Sequence, residues 1–191
     1  MPLTYKTHIM LQQAIRYYMT LAAMLAGMHS TQAQYLADAG TTTRVSDPLA
    51  EAERATQQGE FQRAIALYTI AIEAGQEQVN AHLQRAFCHM LVSDHEAAIR
   101  DLDVVLAARP DHVQAYTSRG SAYAKMGRTD RAIADLDQAI ALDPGNQEAY
   151  NNRGWAHRKA GDPKAACRDW QTSRKLGNPE AALILKNTPC K

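Results

Sequence analysis

Residues 115–144 read AYTSRGSAYAKMGRTDRAIADLDQAIALDP, and this stretch decides the fold because its marks recur at a fixed step on both sides. Ala132 has counterparts at Ala64, Ala98 and Ala166, one 34-residue step apart, each opening an AI or AC dipeptide. A step kept that faithfully means stacked units rather than one irregular globule. Such a stack has no deep cleft for chemistry and offers a long concave surface, so the sequence points to binding.

Working outward, the aligned columns describe two antiparallel helices per unit. Ala52, Ala86, Gly120 and Gly154 form a small column in the first helix, and three residues on stand Ala55, His89, Tyr123 and His157. In the second helix the alanine at 64, 98, 132 or 166 is followed four residues later by Tyr68, Leu102, Leu136 or Trp170. Three further on come Ala71, Val105, Ala139 and Ser173. That spacing draws one apolar stripe down a helix face. Gly59, Gly127 and Gly161 close the first helices, with Ser93 as the exception, and Pro110 and Pro144 stop the second helices. Asp47-Pro48, Asp162-Pro163 and Asn178-Pro179 each read as an N-cap followed by proline in the first turn.

These residues resemble the tetratricopeptide repeat family, most fully at Ala115-Tyr116, Arg119-Gly120, Tyr123, Gly127, Ala132-Ile133, Leu136, Ala139 and Asp143-Pro144. The likeness runs from Val45 to Lys191, with a degenerate first copy. It implies an all-α fold: a right-handed α-solenoid of four helix hairpins (about 45–78, 79–112, 113–146 and 147–178) and a C-terminal capping helix over 179–187. The repeat domain as a whole is placed at 47–191.

Residues 1–33 are of another kind. Lys6 and Arg16 precede an uncharged run from Tyr17 to Met28, and Thr31-Gln32-Ala33 fits a small-x-small cleavage rule. The expectation is a signal peptide cut near Ala33, with Met1 or Met10 as the start, and a periplasmic or secreted product. An uncut leader acting as a membrane anchor for an assembly scaffold is the alternative, as is an N-terminal helix packed on the repeats. Residues 34–46 read as a flexible linker. Of the 21 Lys and Arg, Lys6 and Arg16 lie in the leader, leaving 19 against 20 acids and a net charge of −1 beyond it. That balance gives no nucleic-acid footprint.

Arg85, Arg119 and Arg153 share one column, and Asp101, Asp135 and Asp169 share another; the first unit has Glu51 and Leu67 there instead. Arginine and aspartate arrive and vanish together, which predicts an ion pair joining the two helices of each unit. A ladder of arginines for anionic ligands is the competing reading. Cys167 and Cys190 would meet where the cap docks, bridged if the chain is exported and reduced otherwise. The stretch from Ala166 to Trp170, with Leu176-Gly177 and a terminal cysteine, also resembles the closing unit of bacterial repeat proteins. Cys88 reads as a small buried residue.

His82, Cys88, His89 and His95 look superficially like ligands, but the columns of His82 and His89 hold Tyr116, Tyr150 and Tyr123 elsewhere, so a packing role is expected. No metal, cofactor, catalytic group or small-molecule substrate is expected. The resemblance implies that the first helices line the inside of the superhelix. The candidate partner groove is then Leu83, Phe87 and Met90, followed by Thr117 and Ser121, and then Asn151, Trp155 and Arg158. It is apolar at one end and polar at the other, suiting a peptide or helix of another protein with acidic groups near Arg158. Residues 34–46 covering the apolar end is the alternative. Only Asn151 and Arg158 have the chemistry that chaperone-type members use to grip a terminal carboxylate.

Overall fold

The computed structural model describes residues 47–76, 78–188 and 190, so the leader and linker expected over 1–33 and 34–46 lie outside the described residues. Within it run α1 (Pro48–Gln57), α2 (Phe61–Glu73), α3 (Gln78–Leu91), α4 (His95–Ala108), α5 (Val113–Lys125), α6 (Thr129–Leu142), α7 (Gln147–Lys159), α8 (Pro163–Lys175) and α9 (Pro179–Asn187). Each packs on its neighbours in sequence, and α5 also touches α3 and α7. The result is an all-α helical repeat solenoid in which the first helices of successive hairpins lie side by side. No described residue is in a strand.

The helices start where side-chain acceptors wait for orphan amides. Asp47, Asp162 and Asn178 accept from the backbone N–H of Leu49, Ala165 and Ala181 at 3.1, 2.8 and 3.0 Å, each with proline in the following turn. Pro110 and Pro144 fall two residues beyond the last helical residues Ala108 and Leu142. Between α3 and α4 the turn needs a left-handed residue, and Ser93 supplies it at φ 63°, the one non-glycine residue with positive φ among those described. A serine there sacrifices roughly 1 kcal/mol that glycine would not.

The second helices bury the predicted stripe. Ala64, Ala98, Ala132 and Ala166 are fully inaccessible, and Tyr68, Leu102, Leu136 and Trp170 are at most 1% exposed. The small column of the first helices sits opposite. A Cβ on Gly120 would come 2.7 Å from Leu136 Cγ, and one on Gly154 would come 2.5 Å from Trp170 Nε1. Helix contact this close needs glycine there. Ser173, at the foot of the last stripe, is buried but satisfied, donating to the Gln147 carbonyl at 2.6 Å.

Candidate partner-binding groove

Two features follow from stacking hairpins: a polar spine that sets their register and an inner surface that register leaves open. In the spine Arg119 forks onto Asp135, Nε to Oδ2 at 2.7 Å and Nη2 to Oδ1 at 2.8 Å. Arg153 does the same to Asp169, at 2.9 and 2.7 Å, and Arg85 to Asp101, at 2.9 and 2.7 Å. These aspartates are nearly buried, so the bidentate fork replaces their lost hydration. Each arginine has a third arm the column reading missed. Nη1 of Arg119 and of Arg153 reaches back to Asp103 and Asp137 of the preceding hairpin, both at 2.6 Å, and Nη1 of Arg85 donates to Thr69 at 2.8 Å. The spine therefore ties hairpin to hairpin as well as helix to helix. Its signal was present as the twin Asp-Leu-Asp at 101–103 and 135–137. The aspartate bonds raise all three guanidiniums above their usual range, leaving none of the three free for an anion ladder.

His82 does more than pack: its Nδ1 lies 2.7 Å from Asp101 Oδ1, making that carboxylate the shared partner of two α3 side chains. His89 is half-buried, its Nδ1 lies 3.6 Å from Asp94 Oδ2, and burial lowers its pKa. Cys88 is buried 3.5 Å from Thr56 Oγ1, and burial pushes its thiol up. Among the described residues no three His, Cys, Asp or Glu side chains are grouped to hold a metal.

The inner surface is formed by α3, α5 and α7 and closed at one end by α9. Its first cavity, about 250 Å³, has Leu83, Phe87, Met90 and Leu102 as its apolar walls beside Gln84, Gln114 and Ser118. The second, about 770 Å³, holds Trp155 among Lys125, Arg158 and Lys159, faced by Glu148 and Glu180. Ser121 and Glu148 border both, so the two are stations on one groove. Phe87 is 53% exposed and Trp155 43%, large for aromatic rings in a helix that also carries buried core.

Two residues expected in this groove are elsewhere. Thr117 is fully buried, donating to the Val113 carbonyl and accepting from Asn146 Nδ2 at 3.0 Å. Asn151 is 2% exposed, with Nδ2 bonded to Glu180 Oε2 at 2.9 Å. Their column faces the start of the next first helix, 29 residues on, and is consumed by stacking. The pairing of Thr117 with Asn146 and of Asn151 with Glu180 at that offset was the sequence trace of it. Lys125, Glu148, Lys159 and Glu180 were not foreseen, although Lys125 and Lys159 stand one 34-residue step apart in a single column.

Trp155 is held in place. Its Nε1 donates to Glu180 Oε1 at 3.3 Å, and its ring meets Trp170 at 5.2 Å between centroids and 70° between planes, an edge contact. Cys167 and Cys190 are joined by a disulfide, which fastens the chain beyond α9 to the first half of α8.

Models of the tetratricopeptide repeat match residues 49–113, 84–151 and 136–168, which together reach into all four hairpins. The chain is a tetratricopeptide repeat protein. Solved structures agree on the fold. MamA 41-end from Desulfovibrio magneticus RS-1 is 20% identical, covering 68% of this chain and 73% of that one, with a TM-score of 0.65. YrrB, a TPR protein with an unusual peptide-binding site, is 17% identical over 71% of each chain, with a TM-score of 0.66. The first TPR of Spaghetti (RPAP3), bound to the HSP90 peptide SRMEEVD, is 23% identical, covering 58% of this chain and 90% of that one, with a TM-score of 0.55. No curated protein matches the sequence significantly. The tetratricopeptide repeat is generally a non-enzymatic protein-interaction fold, and solved relatives of this chain bind peptides.

Proposed function

We propose that this tetratricopeptide repeat protein is an exported, non-enzymatic adaptor that holds an extended peptide or helical segment of another protein in its concave groove. The observation that carries the reading is the pair of open aromatic rings, Phe87 and Trp155, one in each station of a single groove, while the neighbouring columns are filled by stacking. Aromatic side chains standing in a concavity are what a partner's apolar anchors need. Export is supported by the character of residues 1–33 and by the Cys167–Cys190 bridge, since disulfides persist in oxidising compartments.

The test is selection of peptides from a random display library on the full chain, repeated on Phe87→Ala and Trp155→Ala. Selected peptides should lose roughly tenfold or more in affinity for each variant, with helicity by circular dichroism unchanged, as anchors of this kind are worth more than about 1 kcal/mol. Peptides that bind both variants as well as the parent would remove the groove from the proposal.

A further inference from the structure

The cap helix is more than a cover for the end of the stack, because its first turn is a wall of the groove. Glu180, the second residue of α9, aims its carboxylate into the Trp155 station and accepts from two different partners on α7, Asn151 Nδ2 at 2.9 Å and Trp155 Nε1 at 3.3 Å. Lys125, Arg158 and Lys159 line the same cavity, Lys159 with its Nζ donating to the Ala124 carbonyl at 3.1 Å. An amide N–H and an indole N–H that meet on one spot, in a cavity lined by cations, suit a carboxylate, and the protein fills that spot with its own.

What keeps Glu180 there is fragile by itself. α9 has nine residues, too few for a helix to persist unless docked. Its docking face consists of Ala181, which is buried, and Ile184 and Leu185, which are half-buried, while Leu183 is 59% exposed. The Cys167–Cys190 bridge supplies the remaining hold, and both its cysteines are partly exposed and so within reach of a reductant.

We propose that Glu180 is the specificity-determining end wall of the groove and that the Cys167–Cys190 disulfide sets it. With the bridge closed, the Trp155 station refuses a ligand carboxylate, because its donors are taken and Glu180 repels the like charge. A dithiol reductant opens it. Two electrons and two protons pass to the bridge, the S–S bond breaks to give the thiols of Cys167 and Cys190, and the dithiol leaves as its own cyclic disulfide. The cap then frays, Glu180 withdraws, and the station becomes basic. This inference rests on the groove being a peptide site, but the movement of the cap does not.

The experiment therefore has two readouts on the full chain. Hydrogen exchange of α9 amides and of the Trp155 indole N–H is followed in oxidised and dithiol-reduced protein, with free thiols counted. Reduction is expected to raise the count from one to three and to speed exchange in α9 on the order of a hundredfold. In parallel, binding is measured for a labelled leucine-containing peptide with two glutamates, against the same peptide with two lysines, both amidated at the C-terminus. The acidic peptide is expected to gain about fivefold on reduction, and equally in oxidised Glu180→Gln, which keeps an acceptor for Trp155 but removes the charge. Unchanged α9 exchange with three free thiols would overturn the control by the bridge. Equal binding of the acidic peptide to parent and Glu180→Gln would overturn the role of Glu180. If neither peptide binds in either state, the groove reading and the specificity claim both fall, and the exchange data still show whether the cap moves.

Discussion

Gly154 lacks a side chain because Trp170 occupies the space one would need. The methyl group of an alanine there would press on three indole atoms within 3.0 Å, and Trp170, 1% exposed, has nowhere to go. Gly154→Ala should therefore destabilise by about 2 kcal/mol, overpacking outweighing the roughly 1 kcal/mol that alanine contributes to a helix. The second unit solves the same contact with Ala86 against Leu102, so Gly154→Ala with Trp170→Leu should cost less than the sum of the two single changes by at least about 1 kcal/mol. Denaturant midpoints of the four proteins check this, and strict additivity would mean that the two residues do not share the contact. The polar spine obeys a different rule. Asp135 is 8% exposed and takes both prongs of Arg119, so Asp135→Ala should cost roughly 2 to 3 kcal/mol, leaving the guanidinium with the exposed Asp103 alone. Arg119→Met with Asp135→Leu should be milder than Asp135→Ala by itself. A double variant as unstable as the single one would show that the pair stabilises the fold directly instead of fixing its geometry.

At the scale of the element, the cap is where a covalent bond stands in for surface area. α9 contributes one buried and two half-buried apolar side chains, a weak dock for nine residues, while a bridge closing a 23-residue span stabilises by about 3 kcal/mol in the chain-entropy account. Cys190→Ser should lower the melting temperature by about 10 °C, and reductant should do the same to the parent but nothing further to the variant. Identical melting curves with and without reductant, three thiols being titrated in the reduced sample, would mean that the bond contributes nothing to stability. Elements were the most legible part of this molecule. Asn178-Pro179 announced α9 because capping is decided within one turn, and the stripe of Ala166, Trp170 and Ser173 announced its neighbour because helix faces repeat every three or four residues. Glu180 as a groove wall was not legible. Its partners Asn151 and Trp155 lie 29 and 25 residues away, and only the stacked geometry brings them together. Thr117 and Asn151 were misplaced for the related reason that a column pointing inward can be used up by the next hairpin before it reaches the hollow.

For the whole molecule, a stack in which each hairpin touches little beyond its neighbours should open from its weaker end, since its stability is a sum of unit and interface contributions. The interfaces are unequal. Between the second and third hairpins and between the third and fourth, the arginine arm lands on a carboxylate, Asp103 or Asp137, whereas between the first and second Arg85 lands on the neutral hydroxyl of Thr69. The first hairpin also lacks a spine of its own, with Glu51 and Leu67 in those columns, and the far end is fastened by a disulfide. Charge-assisted bonds are stronger than neutral ones, although Asp103 and Asp137 are about half exposed and so weigh less than buried partners would. Native-state hydrogen exchange should then show α1 and α2 opening first among the described helices, with protection about tenfold below that of α5 to α7. The cause can be tested apart from the pattern. Thr69→Asp would give Arg85 the same carboxylate arm as its two counterparts, at a position where Nη1 already sits 2.8 Å from the side chain, and should raise protection of α1 and α2 by about threefold, equivalent to roughly 0.6 kcal/mol. The aspartate also gives up the bond from the Thr69 hydroxyl to the Ile65 carbonyl, but that bond closes within one turn of α2 and carries nothing between hairpins. If Thr69→Asp leaves the gradient untouched while Arg85→Met steepens it, the arm matters through its packed stem rather than its charge, and the register of the stack is set by shape.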